Sequence, residues 1–197
     1  MMIKNLKSVW LILLSAAMMT CVTPAHAEWF FKNKVLSEKI LGRWYSEINR
    51  DDEGMVTKFI GVTEYFRNGS VNYEGQIISY AKDEPEVSYY CGHNATYTWQ
   101  IKKEHLYQTM LDAKVFPNYV KEKGDELSNP QDIQTLLEFC SEIQRFYRDE
   151  NPKGKTEEYR LIQINDESMI YSYKDDNGKP VIETETRTER GFGSYRR

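Results

Sequence analysis

Glu86–Lys103 reads Glu-Val-Ser-Tyr-Tyr-Cys-Gly-His-Asn-Ala-Thr-Tyr-Thr-Trp-Gln-Ile-Lys-Lys. Its odd positions are Tyr89, Cys91, His93, Ala95, Tyr97, Trp99 and Ile101. Its even positions are Ser88, Tyr90, Gly92, Asn94, Thr96, Thr98, Gln100 and Lys102. Successive side chains of a strand point to opposite faces, so this spacing buries the odd face and wets most of the even one. The stretch predicts one long strand, or a bent pair, with a single face on a core.

The flanking sequence has the same texture. Leu41–Ile48, Met55–Arg67 and Ser70–Tyr80 are rich in β-branched and aromatic residues, and Leu106–Ala113 continues the series after a turn near Lys103–His105. Asn68-Gly69 predicts a two-residue hairpin, because both central residues of a type I′ turn need positive φ. Lys121–Pro130 is polar, holds a Gly and a Pro, and reads as a loop. Asn129 can then cap a helix with Pro130 at its first position. Ile133, Leu136, Leu137, Cys140, Ile143, Phe146 and Tyr147 make one apolar face of that helix, which runs to about residue 148. Three further strands are expected at Glu157–Ile164, Ser168–Lys174 and Lys179–Glu189. The fold class is mostly β: an antiparallel up-and-down meander with one amphipathic helix (about 130–148) packed against it. Seven or eight antiparallel strands in one domain have edges to hide, and closing into a barrel hides them completely.

Met1–Ala27 carries Lys4 and Lys7 and no acid, then an apolar run Val9–Cys21, then Pro24 and Ala25-His26-Ala27. These are the parts of a secretory signal peptide, and the run is too short to span a bilayer as a mature helix. The mature protein is expected to begin at Glu28, a single domain over 28–197 that is periplasmic or secreted. A lipoprotein acylated at Cys21 fits less well, since Met18-Met19-Thr20 precedes it. Losing Lys4 and Lys7 takes Lys plus Arg from 26 to 24 against 30 acids, a net charge of −6. That balance argues against nucleic acid as a partner. No later segment is long enough to be transmembrane. Cys91 and Cys140 remain, and in an oxidising compartment they are expected to form one disulfide that staples helix to sheet.

The stretch from the short helix Asn33–Lys39 through Leu41-Gly42-Arg43-Trp44 into a run of strands resembles the lipocalin-like families. In those families a Gly-x-Trp opens the first barrel strand, the Trp plugs one end, and an Arg from the last strand packs over it. The resemblance implies structural roles for Gly42 and Trp44, with Arg187 or Arg190 as the closing Arg. It also implies a small apolar or amphipathic ligand in the lumen, and the inward face of the long strand offers Tyr89, His93, Tyr97 and Trp99 as its lining. The helix precedes the last three strands here, whereas lipocalins carry theirs after the barrel.

Other chemistry finds little purchase. His93 reads either as a pocket base or as a buried, hydrogen-bonded histidine. His105 reads as solvated. Two separated histidines and two bridged cysteines leave no metal site, and Asp51-Asp52-Glu53-Gly54 and Asp175-Asp176-Asn177-Gly178 read as turns without the spacing of a calcium loop. No cofactor and no catalytic residue is expected, so the chain is read as no enzyme. Glu183, Glu185, Arg187 and Glu189 alternate with threonines, which reads as a solvated face, with an edge strand protected by charge or a partner-docking strand as the alternative. Gly191-Phe192-Gly193 reads as a flexible tail. The competing function is an envelope protein-interaction module: an inhibitor, an immunity partner or an assembly factor. An empty lumen of several hundred Å3 lined by Tyr, Trp and Phe would favour the ligand, and a filled core with an exposed apolar patch the protein partner.

Overall fold

The computed structural model describes residues 24–52, 54–175 and 178–195, with side chains over 32–51, 54–175 and 178–194. The expected leader therefore lies largely outside the described residues. The elements in chain order are α1 (Pro24–Ile40), β1 (Gly42–Asp52), β2 (Met55–Tyr65), β3 (Ser70–Ala81), β4 (Glu84–Lys102), β5 (His105–Glu122), β6 (Asp125–Leu127), α2 (Pro130–Glu150), β7 (Thr156–Ile164), β8 (Ser168–Lys174) and β9 (Pro180–Thr188), ending in a one-turn 3-10 helix, Phe192–Tyr195.

All strand pairs are antiparallel, and β1-β2-β3-β4-β5-β7-β8-β9 closes on itself through β1 and β9 into an eight-stranded barrel. The three-residue β6 hangs outside the ring on the end of β5. The mostly-β barrel with one packed helix is therefore the fold. Lys121–Pro130 is less of a loop than its composition suggests: it completes β5, turns at Lys123-Gly124 and forms β6.

The turn chemistry departs from expectation in an instructive way. At Asn68-Gly69 only Gly69 has positive φ (+84°). Phe66 and Ser70 bond across a three-residue loop, and the Asn68 side-chain oxygen accepts the Ser70 N–H at 3.0 Å. That bond holds Asn68 short of the left-handed region. The two-residue turn with two positive φ values falls instead at Lys103-Glu104 (φ 51° and 65°), where no glycine announced it.

The odd face of β4 runs unbroken from Tyr89 to Ile101, because both irregularities in its pairing with β5 put the extra residue on β5. Two different cores use that face. Tyr97, Trp99 and Ile101 pack with Trp44, Tyr65, Val71, Leu106, Leu161, Met169 and Tyr171 inside the barrel. Tyr89 and Cys91 pack with Ile77, Val115, Val120, Leu136 and Cys140 beneath α2. The helix starts as its sequence predicts, with Asn129 accepting the Asp132 N–H at 3.0 Å and Pro130 in the first turn. The disulfide Cys91–Cys140 ties it to β4 with Cα atoms 5.8 Å apart.

Two expectations at the C-terminus are overturned. Phe192 is no part of a loose tail: it is 1% exposed and packs on Ile60 and Val62 of the outer wall. The charged face of β9 is no solvated face either. Glu185 is 5% exposed and points inward, as does half-buried Glu183.

Candidate functional site

The closed end of the barrel is built around Trp44. Its side chain is fully buried and its indole N–H donates to the Ile40 carbonyl at 2.7 Å. The Arg187 guanidinium lies 4.0 Å from the Trp44 ring centroid and donates to the carbonyls of Lys39 and Leu41, which end α1. Gly42 sits at φ +103°, and a Cβ there would stand 2.8 Å from that guanidinium. A glycine is required both by the backbone and by the space. Of the two candidate arginines, the structure uses Arg187.

Above this plug the lumen is filled by tyrosines and a few polar groups. Tyr97 and Tyr147 hydroxyls lie 3.0 Å apart. Gln108 donates to the Tyr65 hydroxyl at 2.6 Å. Tyr171 stands 3.0 Å from carboxylate oxygens of both Glu183 and Glu185. Tyr73 folds flat over Gly61 and Gly75, where a Cβ would come within 2.4 Å and 2.3 Å of its ring. His93 lies at the junction of the two cores, its ring 5.0 Å from that of Tyr73 and 4.6 Å from that of Tyr147.

The electrostatics follow from burial. Desolvation pulls His93 down to about 4, so its imidazole is neutral at pH 7. Neither ring nitrogen has a hydrogen-bond partner among the described residues. Desolvation pushes Glu185 up to about 8, opposed by the bond from Tyr171 and assisted by the charge of Glu183. Glu185 is thus mostly a neutral carboxylic acid at pH 7. Tyr65, Tyr73, Tyr97, Tyr159 and Tyr171 are all raised, first by burial.

The expected lining residues divide. His93, Tyr97 and Trp99 stand on the inner face, with Trp99 donating its N–H to the Phe66 carbonyl at 2.9 Å. Tyr89 stands apart from them, against Phe139 of α2 with ring centroids 5.4 Å apart. A cleft of about 10 Å3 opens beside Tyr97, Gln108, Met110, Asn151, Lys155 and Glu157, which is room for about one water. His105 is half-buried and pairs with Glu158 at 2.6 Å. The residues that sequence reading missed are Tyr73, Tyr171, Glu183 and Glu185. Parity in β9 would have found the two acids, since both share the face of Arg187.

The wall itself has two splits. β5 pairs with β7 only over His105–Thr109. Beyond that, α2 lies against β5, and Gln144 accepts the Val115 N–H at 2.5 Å while donating to the Ala113 carbonyl at 3.4 Å. β1 pairs with β9 only over Arg43–Tyr45, and beyond that the two strands part.

Neither a protein-family model nor a curated protein matches the chain. The lipocalin-like resemblance therefore rests on the barrel, the Gly42-Arg43-Trp44 opening and the closing Arg187.

Proposed function

We propose that this is an exported, lipocalin-like binding protein that engages a protein partner, not an apolar molecule held in its lumen. The observation that carries the reading is the filled interior. Trp44, Tyr65, Tyr97, Trp99, Tyr159 and Tyr171 belong to one packed cluster. The cleft beside it, about 10 Å3, is far below the several hundred Å3 a drug-sized ligand occupies. Export is supported by the leader-like Met1–Ala27 and by the disulfide, which persists in oxidising compartments. Apolar side chains also stand at the surface. Ile133 and Leu137, one turn apart on α2, are 44% and 45% exposed.

Native mass spectrometry of the exported protein tests the reading together with cross-linking in its own compartment. The expected result is a ligand-free mass beginning at Glu28 and one stoichiometric protein partner. A small molecule bound one per chain, with no cross-linked partner, would overturn it.

A further inference from the structure

The split between β1 and β9 has a defined chemistry. The Arg187 N–H turns away from β1, to the Glu167 carbonyl at 2.7 Å. By the alternation of an antiparallel strand, Thr186 and Thr188 then face β1, and Arg43 and Tyr45 answer them. Continued along β1, that alternation directs the N–H and C=O groups of Glu47, Asn49 and Asp51 into the split. These three residues are exposed, and β1 has no strand partner there among the described residues. On the opposite lip the same alternation directs Thr184 and Ile182 into the split, and only Pro180, at its far end, has no N–H to offer.

We propose that this lip of β1 docks an extended, basic peptide segment of the partner protein, which adds to the sheet as a strand. The inference rests on the protein-binding reading above and names its mode. An unpaired strand edge recognises main chain, so its natural occupant is an extended segment. Basic character follows from charge. Half-buried Glu183 stands on the inner side of β9 behind the split, and without the expected leader the chain carries a net charge of −6. The Tyr173 hydroxyl donates to Glu183 at 2.5 Å, and the positive charge of Arg50 acts on that hydroxyl. A docked strand with a Lys or Arg opposite Glu183 adds a cation to that carboxylate. A second copy of this acidic chain would bring like charge to the same place. The other split shows what such an edge accepts, since there the chain supplies its own cover through Gln144.

The test uses a labelled nine-residue peptide alternating Lys with Val, a matching Glu/Val peptide, and the full exported protein. Hydrogen exchange reads the site directly. The amides of Glu47, Asn49 and Asp51 exchange fast in the free protein and become protected when the Lys/Val peptide is added. Anisotropy shows at least tenfold weaker binding of the Glu/Val peptide. Asn49→Pro removes the outward N–H without touching a bond to β2 and weakens the Lys/Val peptide at least tenfold, while Asn49→Ala stays within twofold. Protection elsewhere, equal binding of both peptides, or a dimer that buries these same amides overturns the proposal. If the cross-linked partner is retained by Asn49→Pro, edge docking fails while the protein-binding reading stands; loss of any partner from the wild type fails the reading itself.

Discussion

The barrel wall parts in two places, and the protein treats them differently. Between β5 and β7 the gap is covered by α2, locked by Cys91–Cys140, with Gln144 bonded to the main chain at Val115 and Ala113. Between β1 and β9 the strands part after Tyr45, and the described residues show no strand pairing beyond it. The first gap lies over an apolar core, where an unpaired N–H would be costly. The second has exposed lips whose amides water can satisfy. A covered gap is part of the fold, and an open one is available for binding.

The largest effects are expected where the ring is sealed or covered. Trp44→Ala removes the plug under Arg187 and is expected to cost about 3–5 kcal/mol in urea unfolding. A variant as stable as the wild type would mean that the short β1–β9 contact closes the barrel unaided. Cys140→Ser frees α2 from β4. The bridge spans 49 residues of sequence, so the chain-entropy model gives a loss of about 4 kcal/mol. Gln144→Leu leaves the Val115 N–H unpaired beneath the helix and is expected to cost about 1–3 kcal/mol. If Gln144→Leu is neutral, the two gaps do not differ in the way argued.

The pattern of legibility follows the same division. The strands and α2 were readable because period two and period 3.6 are local properties, and Glu86–Lys103 displayed its buried face residue by residue. The disulfide and the Trp44–Arg187 contact were readable because burial and a short motif placed each partner. Glu185 was not. A charged residue in a Thr/Glu alternation looks solvated, and its parity with Arg187, which places it on the inner face, was left unused. Phe192 was missed for a similar reason: flanking glycines suggest a tail, yet a lone aromatic finds the outer wall at Ile60 and Val62. The two gaps were illegible altogether, since where neighbouring strands part depends on curvature and not on either strand's own pattern.

The buried acid and the buried imidazole predict opposite pH limits. The folded-state value of Glu185 is raised to about 8, so its contribution is fully present below about pH 4.5 and is lost as pH rises through 8. His93 is lowered to about 4, so its contribution is fully present above about pH 6.5 and is lost as pH falls through 4. The two opposing slopes cancel between roughly pH 4.5 and 6.5, giving a plateau. Above it, 1.5 pH units at about 1.4 kcal/mol each predict a loss of about 2 kcal/mol between pH 6.5 and 8. Glu185→Gln should abolish that loss. If the variant and the wild type lose stability in parallel over this range, Glu185 is ionised in the folded protein and the acid behind the open gap is already charged.

The smallest expected effect is the sharpest test of the comparison. Asn49→Pro and Gln144→Leu each leave the main chain at one gap without a potential bond. At the covered gap the lost partner is a real one. At the open gap, Asn49 directs its N–H to solvent, and proline is tolerated on an edge strand when its missing N–H faces outward. Asn49→Pro is therefore expected to change unfolding stability by less than about 1 kcal/mol, against the larger loss for Gln144→Leu. Urea denaturation of the two variants side by side reads the difference. If Asn49→Pro costs as much as Gln144→Leu, β1 is paired along the open gap in solution. The split would then be closed in the free protein, with no edge left for a partner strand.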